Sequence, residues 1–189
     1  MELANEFCTV EIKTDPVYTI GSVDNMPYDS VLNPDNCTGD EYFKAFSIHI
    51  DLFSRELTIV LIGNGYADDT DCAFLDGYIL TVMMNHTISQ IDVRDASLLL
   101  HKEYESFGCT FAIFRLQTGY IVYGEIEIIR LNDNFNRLWA FSGRDIFVSI
   151  SGKNPFELCG SRIKLYDFED NYYELDFDGN LINDIPAER

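Results

Sequence analysis

Basic residues are scarce in this sequence: 13 Lys and Arg stand against 32 Asp and Glu, a net charge of −19. A field of that sign opposes binding to nucleic acid or to an anionic membrane surface. Long apolar runs are also lacking, since runs such as 57–62 fall far short of the roughly 18 residues a membrane-spanning helix takes. Near Met1 the chain carries Glu2, Glu6, Glu11 and Asp15 against Lys13 alone, which is neither the basic start nor the apolar core of an export signal. A cytoplasmic protein is expected. Cysteine is odd in number and scattered (Cys8, Cys37, Cys72, Cys109 and Cys159), which suits free thiols in a reducing compartment better than a disulfide framework.

Signatures of chemistry are missing as well. The three histidines, His49, His86 and His101, make no H-x-x-x-H pair and stand near no C-x-x-C, so a zinc site is not expected. There is no G-x-G-x-x-G, no G-K-[ST] phosphate loop and no G-x-S-x-G elbow around Ser142. Cys109 with His101 across a turn is the one conceivable nucleophile and base, and a packed Cys109 is the plainer reading. The run containing Asp68, Asp69, Asp71 and Asp76 superficially suggests calcium. Counted from Asp69, however, the sixth position is Phe74 where an EF-hand needs Gly, and the twelfth is Leu80 where it needs Glu. No cofactor, no metal and no catalytic residue are expected. Clustered carboxylates leave a hydrolase as a minor reading, but acids are too plentiful here to carry information.

What is present is strand pattern. Of the residues, 47% are hydrophobic and 14% aromatic, the aromatics almost all Tyr and Phe, which pack well on pleated surfaces. Three runs, 109–116, 120–131 and 138–150, follow one another across short polar or Gly-containing breaks, as consecutive antiparallel strands do. The middle run alternates an apolar face with one carrying charge, and the single Trp, Trp139, stands among Phe141, Ile146, Phe147 and Val148. Upstream, 43–53 and 57–62 read as a hairpin whose second arm is apolar on nearly every residue, a central strand covered on both faces. Further strands are expected at 7–14, 78–84 and 88–93, with a short one at 17–20 inside a long irregular region reaching residue 41. Segment 95–105 fits a helix capped by Asp95 or a strand, and its neighbours favour the strand. A last hairpin spans 162–168 and 171–177 with Ile163, Leu165, Tyr173, Leu175 and Phe177 inward. The fold class is therefore all-β, an antiparallel β-sandwich or strongly curved antiparallel sheet with at most one short helix, as a single domain over 1–189.

Two stretches, Trp139-Ala-Phe-Ser-Gly-Arg-Asp-Ile-Phe-Val and Arg162-Ile-Lys-Leu-Tyr-Asp-Phe-Glu-Asp-Asn-Tyr-Tyr-Glu-Leu-Asp, resemble the small acidic immunity proteins of bacterial polymorphic and contact-dependent growth inhibition toxin systems. The resemblance covers about 40 residues near the C-terminus. It implies a cytoplasmic, non-catalytic antitoxin that occludes a cognate toxin domain, often a basic nuclease. Acidic composition fits such a partner, with rim charges steering encounter and a few aromatics supplying affinity. The candidate binding residues are the acidic loop with Tyr66, Asp68, Asp69, Asp71 and Asp76, flanked by Tyr78, and the C-terminal hairpin with Glu169, Asp170 and Tyr172. The alternative reading is a ligand-binding β-sandwich module for a sugar or peptide, which requires a concave groove lined by Tyr.

Overall fold

A computed structural model describes residues 1–187 as seventeen β-strands, with no helix among the described residues. The chain, read above as one domain, divides into two compact units, Met1–Tyr104 and Glu105–Arg189. The all-β class and antiparallel pairing hold, with one exception described below. The strands are dealt into four separate sheets rather than into the two faces of one sandwich. No helix among the described residues is long and apolar enough to cross a membrane.

In the first unit, β1 (Glu2–Ala4), β2 (Thr9–Thr14), β3 (Ser30–Leu32), β4 (Phe43–Asp51) and β5 (Glu56–Asn64) form a five-stranded sheet in the order β1-β2-β4-β5-β3. The expected hairpin is β4 and β5, in register from Phe43 opposite Asn64 to Asp51 opposite Glu56. Its second arm is central, with Ile59 to Gly63 all buried. No strand forms at 17–20. There the side chain of Asn25 takes the role a neighbouring strand would play, accepting from the Thr19 amide (2.9 Å) and donating to the Thr19 carbonyl (2.6 Å). The same irregular region instead supplies β3, which runs parallel to β5. Asp29 fixes that pairing by exchanging bonds with Thr58: the Thr58 amide donates to its carboxylate and its own amide donates to the Thr58 carbonyl, both at 2.7 Å.

The second sheet is a meander of β6 (Ala73–Asp76), β7 (Ile79–Met84), β8 (Thr87–Asp92) and β9 (Ser97–Glu103). Segment 95–105 thus holds a strand rather than a helix, over Ser97–Glu103, as its neighbours imply. Val10, Ile12, Phe46, Ile48, Ile50, Ile59 and Leu61 of the first sheet meet Leu80, Val82 and Ile91 of the second in one core, and each fully buried aliphatic contributes about 1.5–3 kcal/mol before entropy is charged against it. On the far side of β4 and β5, Ala45, Val60 and Ile62 are covered by Tyr18 and Cys37 from the irregular region. That region is therefore a packed lid over the sheet whose outer side faces solvent.

The second unit holds two more meanders. One comprises β10 (Thr110–Arg115), β11 (Tyr120–Gly124), β12 (Ile128–Leu131) and β13 (Arg137–Phe141); the other β14 (Phe156–Cys159), β15 (Arg162–Tyr166), β16 (Tyr172–Asp176) and β17 (Leu181–Ile185). The run 120–131 is two strands, not one, because the chain turns where the Gly124 amide donates to the Glu127 carbonyl (3.0 Å). Its charged face is not in water as expected, since Glu127 is buried, and the opposite set ends on a buried base. Arg130 is buried, and its guanidinium donates to the carbonyls of Leu131 (2.6 Å), Tyr120 (3.2 Å) and Thr118. The run 138–150 stays in the sheet only to Phe141. Ile121, Ile128, Phe147, Phe156, Ile163, Leu165, Tyr173 and Leu175 form the core between the two sheets, which places the inward residues of the last hairpin as expected. Every residue of β17 is exposed, and among the described residues it pairs with β16 alone.

Candidate functional site

The acidic loop of the first unit is partly structural. Ala67, Cys72 and Ala73 are buried and anchor it, and 73–76 is strand β6 rather than loop. Asp69 turns inward to accept the Thr14 amide at 2.6 Å. Burial pushes its carboxyl up, but the bonds from Thr14 outweigh that and hold it below the usual carboxylate range. Asp68 accepts the Thr70 amide (2.9 Å) and the Tyr66 hydroxyl (3.3 Å). Asp71, with φ of 48°, and Asp76 point to solvent. Asp69 thus serves the loop, Asp68 and Asp71 are what the loop displays, and Asp76 is exposed at the end of β6.

Thr14, the residue Asp69 holds, also lines two adjoining hollows. One, of about 570 Å³, is formed with Lys13, Asp15, Pro16, Val17 and Met26; the other, of about 350 Å³, with Asp15, Pro16, Tyr18, Glu41 and Tyr42. Large apolar side chains of their walls stand in water, Val17 82% exposed, Tyr42 63% and Met26 48%, and Val23, between the lining residues Ser22 and Asp24, is 96% exposed. Between Lys13 and Lys44 there are six acids and no base. Asp15, Asp29 and Asp35 are engaged internally. Asp15 accepts the Tyr28 hydroxyl at 2.6 Å, and that hydroxyl is pushed up to about 12 by burial and by this bond. Asp24, Asp40 and Glu41 face solvent. The result is an apolar patch rimmed by carboxylates and joined to the acidic loop through Thr14. Sequence reasoning flagged the length of this region but not its display of Val17, Val23, Met26 and Tyr42, because exposure of an apolar side chain is a tertiary outcome.

Glu169, Asp170 and Tyr172 belong to the second unit, so the two sets of predicted residues make two sites. All three line a hollow of about 630 Å³ with Lys153, Tyr166 and Ile185. Asp170 has φ of 66°, accepts the Ser151 hydroxyl at 2.7 Å and lies 3.5 Å from the Lys153 ammonium. The Tyr172 hydroxyl donates to Glu174 at 3.4 Å.

The residues that carry the family resemblance build the core behind this hollow. Asp167, fully buried, accepts the amides of Glu169 (3.1 Å) and Asn171 (2.9 Å), the Asn171 side chain and the Tyr173 hydroxyl (2.8 Å). Tyr173 in turn accepts the Arg144 amide at 2.8 Å, and Arg144 makes a two-pronged pair with Asp184 at 2.6 and 2.8 Å. Asp145, beside Arg144, accepts the Ile146 amide at 2.7 Å. A Cβ on Gly143 would come within 3.1–3.2 Å of the Phe147 and Tyr173 rings, so a side chain there would have to push those rings aside by a few tenths of an ångström.

His101 bonds Ser89 and Asp35: Ser89 Oγ lies 3.0 Å from Nδ1 and Asp35 Oδ1 2.7 Å from Nε2. The order hydroxyl, imidazole, carboxylate matches that of a hydrolytic triad. Ser89 is only 3% exposed, however, and sits opposite His101 in the β8–β9 register. The adjacent hollow, about 490 Å³, is lined by Asp35, His86, His101 and Glu103 but not by Ser89. Because Asp35 also accepts the Asn64 amide at 3.0 Å, the array straps the loop after β3 onto both sheets of the unit. Burial pushes the Cys109 thiol up, away from the thiolate a nucleophile requires. Among the described residues no group of three or more His, Cys, Asp or Glu is placed to hold a metal ion.

Neither a family model nor a curated protein matches the chain. Similar solved structures include the CNH domain of AfRom2 (TM-score 0.49, 10% identity, covering 96% of this chain and 52% of that one). Others are the WD40 domain of Neurospora crassa Pan2 (TM-score 0.44, 10% identity, 66% and 37%) and the hydrazine synthase of Kuenenia stuttgartiensis (TM-score 0.49, 12% identity, 90% and 53%). The chain spans about half the length of these proteins or less.

Proposed function

We propose that this chain is a non-catalytic, cytoplasmic immunity protein that binds and neutralises a basic bacterial toxin domain through an acidic surface of its first unit, with no cofactor. The observation that carries the reading is the patch beside Thr14: Val17, Val23, Met26 and Tyr42 stand in water, rimmed by Asp24, Asp40 and Glu41 and continued by Asp68 and Asp71, with no base between Lys13 and Lys44. Apolar anchors inside a charged rim are the anatomy of a protein interface. The unit carries 18 acids against five bases, and a surplus of that kind steers a positively charged partner and repels nucleic acid.

The test is binding to the toxin domain encoded beside this protein. Tyr42→Ala is expected to weaken the complex at least about tenfold through faster dissociation, the behaviour of a central aromatic anchor. Asp40→Lys with Glu41→Lys is expected to slow association and flatten its salt dependence. A basic toxin domain that fails to bind at low salt, or binds both variants like the parent, refutes the reading. One observation favours a second reading, a ligand-binding module: the hollow of the second unit presents Tyr166 and Tyr172 side by side, their ring centroids 5.1 Å apart.

A further inference from the structure

The hollow at Tyr166 and Tyr172 already holds a cation. The Lys153 ammonium lies 4.7 Å from the Tyr166 ring centroid and 3.5 Å from Asp170 Oδ2. The two rings meet at 48° and form a corner with two electron-rich faces. Asp170 is fixed there, because Ser151 donates to its other oxygen and its backbone takes the left-handed angle described above. Glu169, exposed, adds a second carboxylate at the mouth. Lys153 fills this place loosely: its side chain is 43% exposed, and it comes from the irregular 142–155 segment rather than from a strand. The volume, about 630 Å³, is far more than one lysine stem fills and lies within the range of small-ligand pockets.

An ammonium is compact and strongly hydrated. A guanidinium is planar, less hydrated, stacks on aromatic faces and grips a carboxylate with two parallel donors, so it is the better occupant of a corner made of two tyrosines and an aspartate. We propose that this hollow is a receptor for an arginine side chain of a protein partner, and that Lys153 is a tethered stand-in which the arginine displaces. The proposal extends the ligand-binding reading and does not depend on a toxin partner. Tyr166 and Tyr172 supply the stacking faces, Asp170 the counter-charge, and Lys153 the competition that keeps the hollow closed to weaker cations.

The experiment is an NMR titration of the full chain with N-acetyl-arginine amide, with N-acetyl-citrulline amide as its neutral isostere and N-acetyl-lysine amide as the point-charge control, following the Tyr166 and Tyr172 ring resonances. Saturable shifts are expected from the arginine probe, with the citrulline and lysine probes weaker by about tenfold and threefold. Lys153→Ala removes the competitor and should tighten arginine binding severalfold. Asp170→Asn, which keeps the turn because Asn tolerates the left-handed angle, and Tyr166→Leu should each weaken it by about tenfold. Equal binding of arginine and citrulline overturns the cation assignment while leaving a ligand-binding hollow in place. A Lys153→Ala variant that binds no tighter overturns the stand-in role, and no saturable shift from any probe overturns the proposal entirely.

Discussion

Replacing Asp167 by Ala should cost the second unit most of its stability, and the size of the loss follows from the bonds its carboxylate accepts. Four donor groups converge on it in the β15–β16 turn: the amides of Glu169 and Asn171, the Asn171 side chain and the Tyr173 hydroxyl. The carboxylate has no access to solvent, so the alanine variant leaves those donors facing a gap that water does not readily fill. A single orphaned buried donor costs about 1–3 kcal/mol, and breaking a buried charged array typically costs about 3–5 kcal/mol. We expect about 3–5 kcal/mol for Asp167→Ala, not the sum of four separate penalties, because the turn relaxes and some donors find each other or water. For a unit of this size that lowers Tm by about 12 °C or more. Tyr173→Phe removes one member and should cost about 1–2 kcal/mol. The double variant should be less destabilised than the two losses added, since both act on one network. The assay is urea unfolding followed by tryptophan emission. Trp139 is the only Trp in the chain and its indole donates to the Phe177 carbonyl at 3.2 Å, so its signal reports on this unit. A loss of less than about 1 kcal/mol for Asp167→Ala would show that the carboxylate is not the organising acceptor of the turn and would refute the reasoning.

Three further outcomes are expected. Asp69, Asp92, Asp95, Asp176 and Asp184 all titrate below the usual carboxylate range, Asp92 through the Arg94 guanidinium, Asp95 through Ser97, Asp176 through Asn180 and Asp184 through Arg144. A depressed folded-state value contributes stability above the unfolded value of about 4 that is lost as pH falls through the folded one, so the urea midpoint should not fall between pH 7 and 5 and should drop steeply below about pH 4; a fall already at pH 6 would contradict this. Of the five thiols only Cys159 is exposed, Cys8, Cys37 and Cys72 are buried, and burial pushes the Cys72 thiol up to about 12. A disulfide reagent at pH 8 should therefore titrate one thiol quickly and all five after unfolding, with the fast phase absent in Cys159→Ser. His101→Ala removes the strap between Ser89 and Asp35 and should cost the first unit about 1–3 kcal/mol by circular dichroism; a change under half a kcal/mol would make the array dispensable.

Hairpins with clean alternation were legible in the amino-acid pattern. Phe46, Ile48 and Ile50 against Ser47, His49 and Asp51 mark β4, and Ile163, Leu165, Tyr173 and Leu175 mark β15 and β16 as inward pairs. The division into four sheets was not, because it depends on where the chain leaves one sheet for the next. Glu125-Ile126-Glu127 gives no turn signal, yet the chain reverses there. Charge misled more than apolarity did. Read along the sequence, every Asp looks like solvated surface, whereas Asp29, Asp69 and Asp167 are spent on backbone amides. Part of that was readable: Asp95 accepts the amide of Ser97 and Asp92 that of Arg94, two residues on, which is the Asx-turn habit of aspartate before a reversal. The contact of His101 with Asp35 spans 66 positions and leaves no local trace at all.

The bare outer side of β17 has a practical corollary. Leu181, Ile182 and Ile185 are exposed on a strand that, among the described residues, pairs along one side only, and such an edge is the usual template for zippering between copies. Asp184, drawn off by Arg144, and Pro186 just past the strand are the local brakes. The remaining protection is mutual repulsion between molecules of charge −19. Salt shortens its reach from about 10 Å at 0.1 M to about 3 Å at 1 M. Concentrated stocks in high salt should therefore turn cloudy sooner than dilute, low-salt ones, and a lysine in place of Ile182 should keep them clear.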